Sequence, residues 1–194
     1  KKDAFSARLL AGFIFSISII SINFGLQAST FFLNFPHLWR CAGFVGFCGP
    51  VFSYLYVKSL LFPSKKIKPI YFFLFLPSLV YTIILIPLYS LPASEKLIII
   101  KQLLADKTLI TFEPDVALPN GWGVMARVLF GLIMTIGQFV LIFKWKKEKS
   151  KNIDTSTYNW AFLFTVVMSV LYVLLFVEFS FHLSRFVELT QQII

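Results

Sequence analysis

Five long apolar runs, separated by short stretches into which the charges are crowded, leave this chain few ways to fold. They cover about Leu9 to Leu33, Leu38 to Phe62, Pro69 to Leu91, Trp122 to Trp145 and Tyr158 to Phe181. Each meets the roughly 20 residues that a helix needs to cross a bilayer. Lipid offers no water to a bare peptide group, so each run must satisfy its own backbone as a helix. The expected fold is all-α: one polytopic transmembrane bundle over residues 1–194, with five spans. Only 14% of the residues are charged and 58% are hydrophobic, whereas a soluble domain carries about 25% charged residues. The first run is too long for a signal peptide and lacks a small-residue cleavage site, so it reads as a retained span.

The second run holds the stretch around which the rest is organised, Gly49-Pro50-Val51-Phe52-Ser53-Tyr54-Leu55-Tyr56-Val57-Lys58-Ser59-Leu60. Pro50 removes one backbone hydrogen bond a turn back, near Gly46, and bends the helix there. Neighbouring helices or hydroxyls such as Ser53 are expected to re-satisfy the freed groups. Ala42, Gly46, Gly49 and Ser53 share a face on which another helix could come close, so this helix belongs inside the bundle. Pro77 and Pro87 kink the third span. All three prolines, Pro50, Pro77 and Pro87, are candidate pivots, with static kinking as the alternative for each.

Lysine and arginine set the orientation. Lys1, Lys2, Arg8, then Lys58, Lys65, Lys66, Lys68, then Lys144, Lys146, Lys147, Lys149 and Lys151 fall on one side. The other side has Arg40, Lys96, Lys101, Lys107, Arg127 and Arg185. The richer side faces the cytoplasm, which places the N-terminus of this chain inside and its C-terminus outside. Trp39, Trp122, Trp145 and Trp160 fall at span ends, where their rings suit the headgroup layer. A net charge of +9 is thus accounted for by membrane anchoring, and no basic stripe with interleaved aromatics points to nucleic acid.

Residues 92–121 form the one sizeable non-spanning segment, an outer loop. Ser94 is expected to cap a short amphipathic helix, lying in the outer interface, with Leu97, Ile100, Leu103 and Leu104 on one face and Glu95, Lys101 and Gln102 elsewhere. Thr108 to Phe112 alternates like a strand, and Pro119-Asn120-Gly121 is a turn signal. The segment is a lid or a partner-binding surface.

Polar residues inside spans are costly and therefore informative. Ser16, Asn23, Gln27, Thr30 and Asn34 follow helical spacing on the first span. Arg127 opens the fourth, and Glu178, His182 and Arg185 continue one face at the outer end of the fifth. One reading is a pocket open to the outside, lined by Asn23, Gln27, Arg127, Glu178 and His182, that binds a small polar or amphipathic signal. The other is that these groups hold helices together by mutual hydrogen bonds and are otherwise solvated at the membrane edge. Cys41 and Cys48 sit two turns apart, too far for a disulfide within one helix, and no Cys/His cluster has metal-site spacing. Phosphate loops, nucleophile elbows and zinc-protease motifs are absent, so neither an enzyme nor a cofactor is expected.

Several pieces occur in a recognisable order: Ala7-Arg8-Leu9-Leu10-Ala11, Phe35-Pro36-His37-Leu38, Gly49-Pro50 with Tyr54 and Tyr56-Val57-Lys58-Ser59-Leu60, Phe75-Leu76-Pro77, Ser94-Glu95-Lys96-Leu97, and Lys144 to Lys151 leading to Trp160. In this order the chain resembles the membrane-embedded sensor region of bacterial AraC-type helix-turn-helix transcription regulators. It departs from them at Leu74, where that family often has a histidine. The resemblance implies a seven-span unit in a bacterial inner membrane, with one span before Lys1 and one after Ile194, followed by a cytoplasmic DNA-binding domain. DNA contact would then belong to a domain outside this chain. Its partners would be the lipid bilayer, a small-molecule or membrane-borne signal, and a second copy of itself. Signalling would proceed by helix repacking. A reading from a different class is a small multi-pass accessory subunit of a membrane complex, with no sensing role.

Overall fold

A computed structural model describes residues 2–63, 68–105, 118, 121–148 and 155–191, with side-chain surroundings for residues 4–63, 68–105, 118, 121–148 and 155–181. Among the described residues all regular structure is helical. The helices are α1 (Lys2–Gln27), α2 (Phe31–Asn34), α3 (Val45–Leu61), α4 (Leu76–Ile84), α5 (Ile86–Ser90), α6 (Ala93–Ala105), α7 (Trp122–Glu148) and α8 (Thr155–Gln191). Short 3-10 segments cover Pro36–Leu38 and Pro69–Phe75.

Four helical stretches are long and apolar enough to cross a membrane: Ala4–Gln27, Pro69–Ser90, Trp122–Glu148 and Thr155–Phe181. Only 11% of the most apolar part of the first is buried, and 33% of that of the third. Most of their apolar side chains therefore face outward, which is stable in lipid and not in water. The expected span from Leu38 to Phe62 is shorter than its composition suggested, because its helix begins only at Val45. Pro36 starts a 3-10 turn and Arg40 takes a left-handed backbone conformation, so residues 36–44 form a folded-back corner instead. At about 1.5 Å per residue, seventeen residues rise about 25 Å, less than the roughly 30 Å of a hydrocarbon core. The helix has little need to meet the lipid on its own, since eleven of its seventeen residues are buried by neighbours.

Contacts along α3 fix the direction of everything around it. Ser59 donates to Ser6 at 3.0 Å, while Gly49 lies against Ser16 and Gly12 against Phe52, so α1 runs antiparallel to α3. The segment Pro69–Ser90 does the same, with Tyr71 beside Tyr54, Phe75 beside Phe52 and Tyr81 beside Phe47. Gly46 meets Arg127 and Gly137 meets Tyr54, so α7 runs parallel to α3. Tyr172 packs on Gly131, and Trp145 stacks on Tyr158, so α8 is antiparallel to α7. Consecutive apolar helices thus alternate in direction, as successive crossings of one membrane must. Gly46 and Ser53 face α7 and Gly49 faces α1, so the small-residue face is shared between two neighbours. Ala42 lies in the corner ahead of the helix.

Prolines shape the helices as their chemistry dictates. Pro77 and Pro87 each take the first turn of a new helical segment, α4 and α5, where a missing N–H costs nothing. The third span is therefore built of three pieces rather than one kinked rod. Pro50 is accommodated inside α3. The hydroxyl of Ser53 donates to the carbonyl of Pro50 itself at 2.8 Å, not to the freed carbonyl near Gly46.

Ser53 also begins the polar centre of the bundle. It accepts from Nε2 of Gln138 at 2.9 Å, and Oε1 of Gln138 accepts from Thr165 at 3.1 Å. All three residues are fully buried. This chain of hydrogen bonds ties α3, α7 and α8 together at mid-height. Two of the tryptophans depart from an interfacial role: Trp39 and Trp145 are buried, while Trp122 and Trp160 are exposed. Trp160 still donates through Nε1 to the Tyr56 hydroxyl at 2.7 Å.

Candidate functional site

The lysine-poor end of the bundle holds a cluster of cations that the apolar pattern alone does not require. Its backbone anchor is Arg40, with a φ of 61°, in the region where a non-glycine residue costs of order 1 kcal/mol or more. Two hydrogen bonds to its carbonyl hold that conformation, from the Gly43 N–H at 2.9 Å and from the Tyr89 hydroxyl at 3.2 Å. The corner sends the guanidinium inward, where Nη2 donates to the Tyr81 hydroxyl at 2.7 Å. Arg40 is only 2% exposed.

Tyr81 carries a second cation. The Arg127 guanidinium lies 5.6 Å from its ring centroid, and Nε of Arg127 donates to the Gly123 carbonyl at 3.1 Å. Gly123 and Gly46 leave the room this needs. A methyl group at Gly123 would collide with the Tyr81 hydroxyl, and one at Gly46 with the Arg127 side chain.

The third cation is Lys96 on α6, also 2% exposed. Its ammonium donates to the Tyr89 carbonyl at 2.9 Å and lies 3.2 Å from Nδ1 of His37. A charged lysine has no lone pair, so this contact makes Nδ1 the acceptor and puts the histidine proton on Nε2. Burial pushes the Lys96 ammonium below the usual lysine range. Tyr81 and Tyr89 thus connect Arg40, Arg127 and Lys96 across α4, α5, α6, α7 and the corner before α3. Trp39, Phe32, Phe47, Leu85, Leu88, Ile100 and Leu103 form the apolar packing around them.

The helix expected in the outer loop is present as α6, with Ile100 and Leu103 buried and Glu95, Lys101 and Gln102 exposed. It starts at Ala93, so Ser94 lies within the first turn and is not its cap. It packs on α2 and Pro36–Leu38 rather than lying alone on a membrane surface. Thr108 to Phe112, Pro119 and Asn120 lie outside the described residues.

Of the five residues expected to line an outer pocket, Arg127 belongs to the cationic cluster. Gln27 is buried at the end of α1, Asn23 is half-buried, and Glu178 is exposed on α8. The His182 and Arg185 side chains lie outside those described. The polar face of the first span stops at Gln27, because Ser29 turns the chain by donating to the Leu26 carbonyl and accepting from the Phe31 N–H. Thr30 and Asn34 consequently fall off that face. As charges in the sequence, Arg40, at the start of the second run, and Lys96, in the outer loop, served only to set orientation. Their signal was the surroundings: Arg40 follows a tryptophan in an otherwise apolar run, and Lys96 sits at helical spacing from Ile100 and Leu103. Cys41 and Cys48 are free thiols, and no three metal-ligating side chains come together among the described residues. The chain matches no family model, no curated protein and no solved structure.

Proposed function

We propose that this chain is the membrane-embedded sensor region of a bacterial transcription regulator, set in the inner membrane with its lysine-rich end in the cytoplasm. The signal acts at the opposite, extracytoplasmic end. Interment of Arg40 and Lys96 is the observation that supports this reading. Buried charges are expensive and are kept where they are used, and three cations held by tyrosines suit a signal bearing a carboxylate or phosphate. The corner at Arg40 leads directly into α3, so a ligand that favours one placement of the corner would bias the helix that α1, α4, α7 and α8 all contact.

Lys96→Met tests the reading by separating stability from response. Methionine keeps the apolar stem and removes the desolvated charge but leaves the Tyr89 carbonyl and Nδ1 of His37 without this donor, so stability should change by no more than about 1–3 kcal/mol, while induction of the regulated genes is lost. Normal induction in this variant would remove the cluster from signalling. The wild-type protein should also gain stability as pH rises through the window between the lowered Lys96 value and the ordinary 10.5, because there the unfolded chain binds more protons. Thermal melts in detergent at rising pH up to 10.5 check this, and Lys96→Met should flatten the rise.

The accessory-subunit reading draws on α4, whose Leu79, Val80, Ile83 and the nearby Ile86 are exposed and could meet a partner helix. The reading frame beyond Ile194 separates the two. A helix-turn-helix domain after one more span fits the sensor, and a stop codon close by fits the subunit.

A further inference from the structure

We propose that the lysine-rich end binds one anionic phospholipid from the surrounding leaflet, its headgroup on Lys58 and Lys68 and its two chains on either side of Phe72 and Phe75. One groove, of about 390 Å³, opens between α1, α3 and the Pro69–Phe75 segment, lined by Phe5, Leu9, Phe52, Leu55, Tyr71, Phe72 and Phe75. A second, of about 250 Å³, lies on the other side of that segment between Phe72, Phe73, Phe75, Leu76 and Leu79. Phe72 and Phe75 are the wall between them. Both are lined by apolar and aromatic side chains, so they fit hydrocarbon and exclude a polar solute.

The direction of the larger groove sets the polarity of its occupant. The Ser59–Ser6 hydrogen bond between antiparallel helices places Lys58 level with Ala7, within a turn of Phe5. The Lys58 ammonium sits 3.3 Å from the centroid of the Tyr71 ring, itself part of the lining. From that level the groove descends along α1 to Leu9, back along α3 through Leu55 to Phe52, and from Tyr71 to Phe75. All three paths lead away from the lysines and towards mid-membrane. Lys68, exposed, immediately precedes the Pro69–Phe75 segment, and Arg8 is exposed on α1. Asp3, in the first turn of α1, is the one acidic residue in the sequences of α1, α3 and this segment, against Arg8, Lys58 and Lys68, and this cationic excess favours an anionic headgroup over a zwitterionic one. Lys58 can hold a phosphate while it rests on the ring, since an ammonium has three donors.

The test is lipid retention by full-length protein purified in mild detergent, read by native mass spectrometry after exposure to phosphatidylglycerol or phosphatidylcholine. Wild type should retain one phosphatidylglycerol and little phosphatidylcholine. Lys58→Gln/Lys68→Gln should lower that retention several-fold. Lys144→Gln/Lys147→Gln, which removes as much charge from α7 at the same end, should leave it unchanged. Lysophosphatidylglycerol, with one chain, should be retained less well. Equal retention of the two phospholipids, equal loss in both double variants, or equal retention of the one-chain lipid would overturn the proposal. The result is independent of whether the chain senses a signal.

Discussion

Gly131→Leu is expected to destabilise the protein by about 3 kcal/mol, at the upper end of what overpacking a tight interface costs. Gly131 sits on α7 where the Tyr172 ring of α8 crosses it, and even a methyl group there would run into ring carbons. The ring is buried and is struck on its body rather than at a flexible tip, so α8 itself would have to move. Gly131→Ala should cost less, about 1–2 kcal/mol. Tyr172→Ala should relieve much of the leucine penalty, because the two positions share one contact and cannot be additive. Detergent melts or denaturant titrations of the three variants measure this. A leucine variant as stable as wild type would mean that α7 and α8 do not pack in this register.

Gln138→Ala is expected to cost about 2 kcal/mol, from two interhelical hydrogen bonds at about 0.6 kcal/mol each plus the cavity left behind. Gln138→Leu refills the space and should cost only about 1 kcal/mol. The smaller figure is reasonable because neither partner is orphaned: Ser53 still donates to the Pro50 carbonyl and Thr165 to the Ala161 carbonyl at 2.8 Å. Equal effects of alanine and leucine would show that hydrogen bonding, not filled volume, dominates at the centre.

The positions of the apolar helices were legible in the sequence because lipid imposes a simple rule on length and composition. The central place of α3 was legible too, through Gly46, Gly49, Ser53 and the residues around Pro50. What the sequence concealed depends on chain reversals that no periodicity records. The left-handed Arg40 shortens α3 and buries a charge that the sequence places at the outer end of a span. Ser29 breaks the polar face of α1 after Gln27. Lys96 looked like one more charge on an amphipathic helix, yet α6 folds back against α2 and the Pro36–Leu38 turn, and so buries it. The Ser53–Gln138–Thr165 chain was hidden for another reason: three polar residues on three distant helices show no common spacing.

Single-cysteine labelling of intact cells and of inverted vesicles with a membrane-impermeant maleimide tests the membrane-crossing arrangement most directly. The native Cys41, exposed beside the Arg40 corner, should react from outside, as should a cysteine at Lys101 on α6. In a Cys41→Ser/Cys48→Ser background, cysteines at Lys68 and Glu148 should react only in inverted vesicles. Labelling of Lys101 and Glu148 positions from the same side would contradict the alternating bundle around α3.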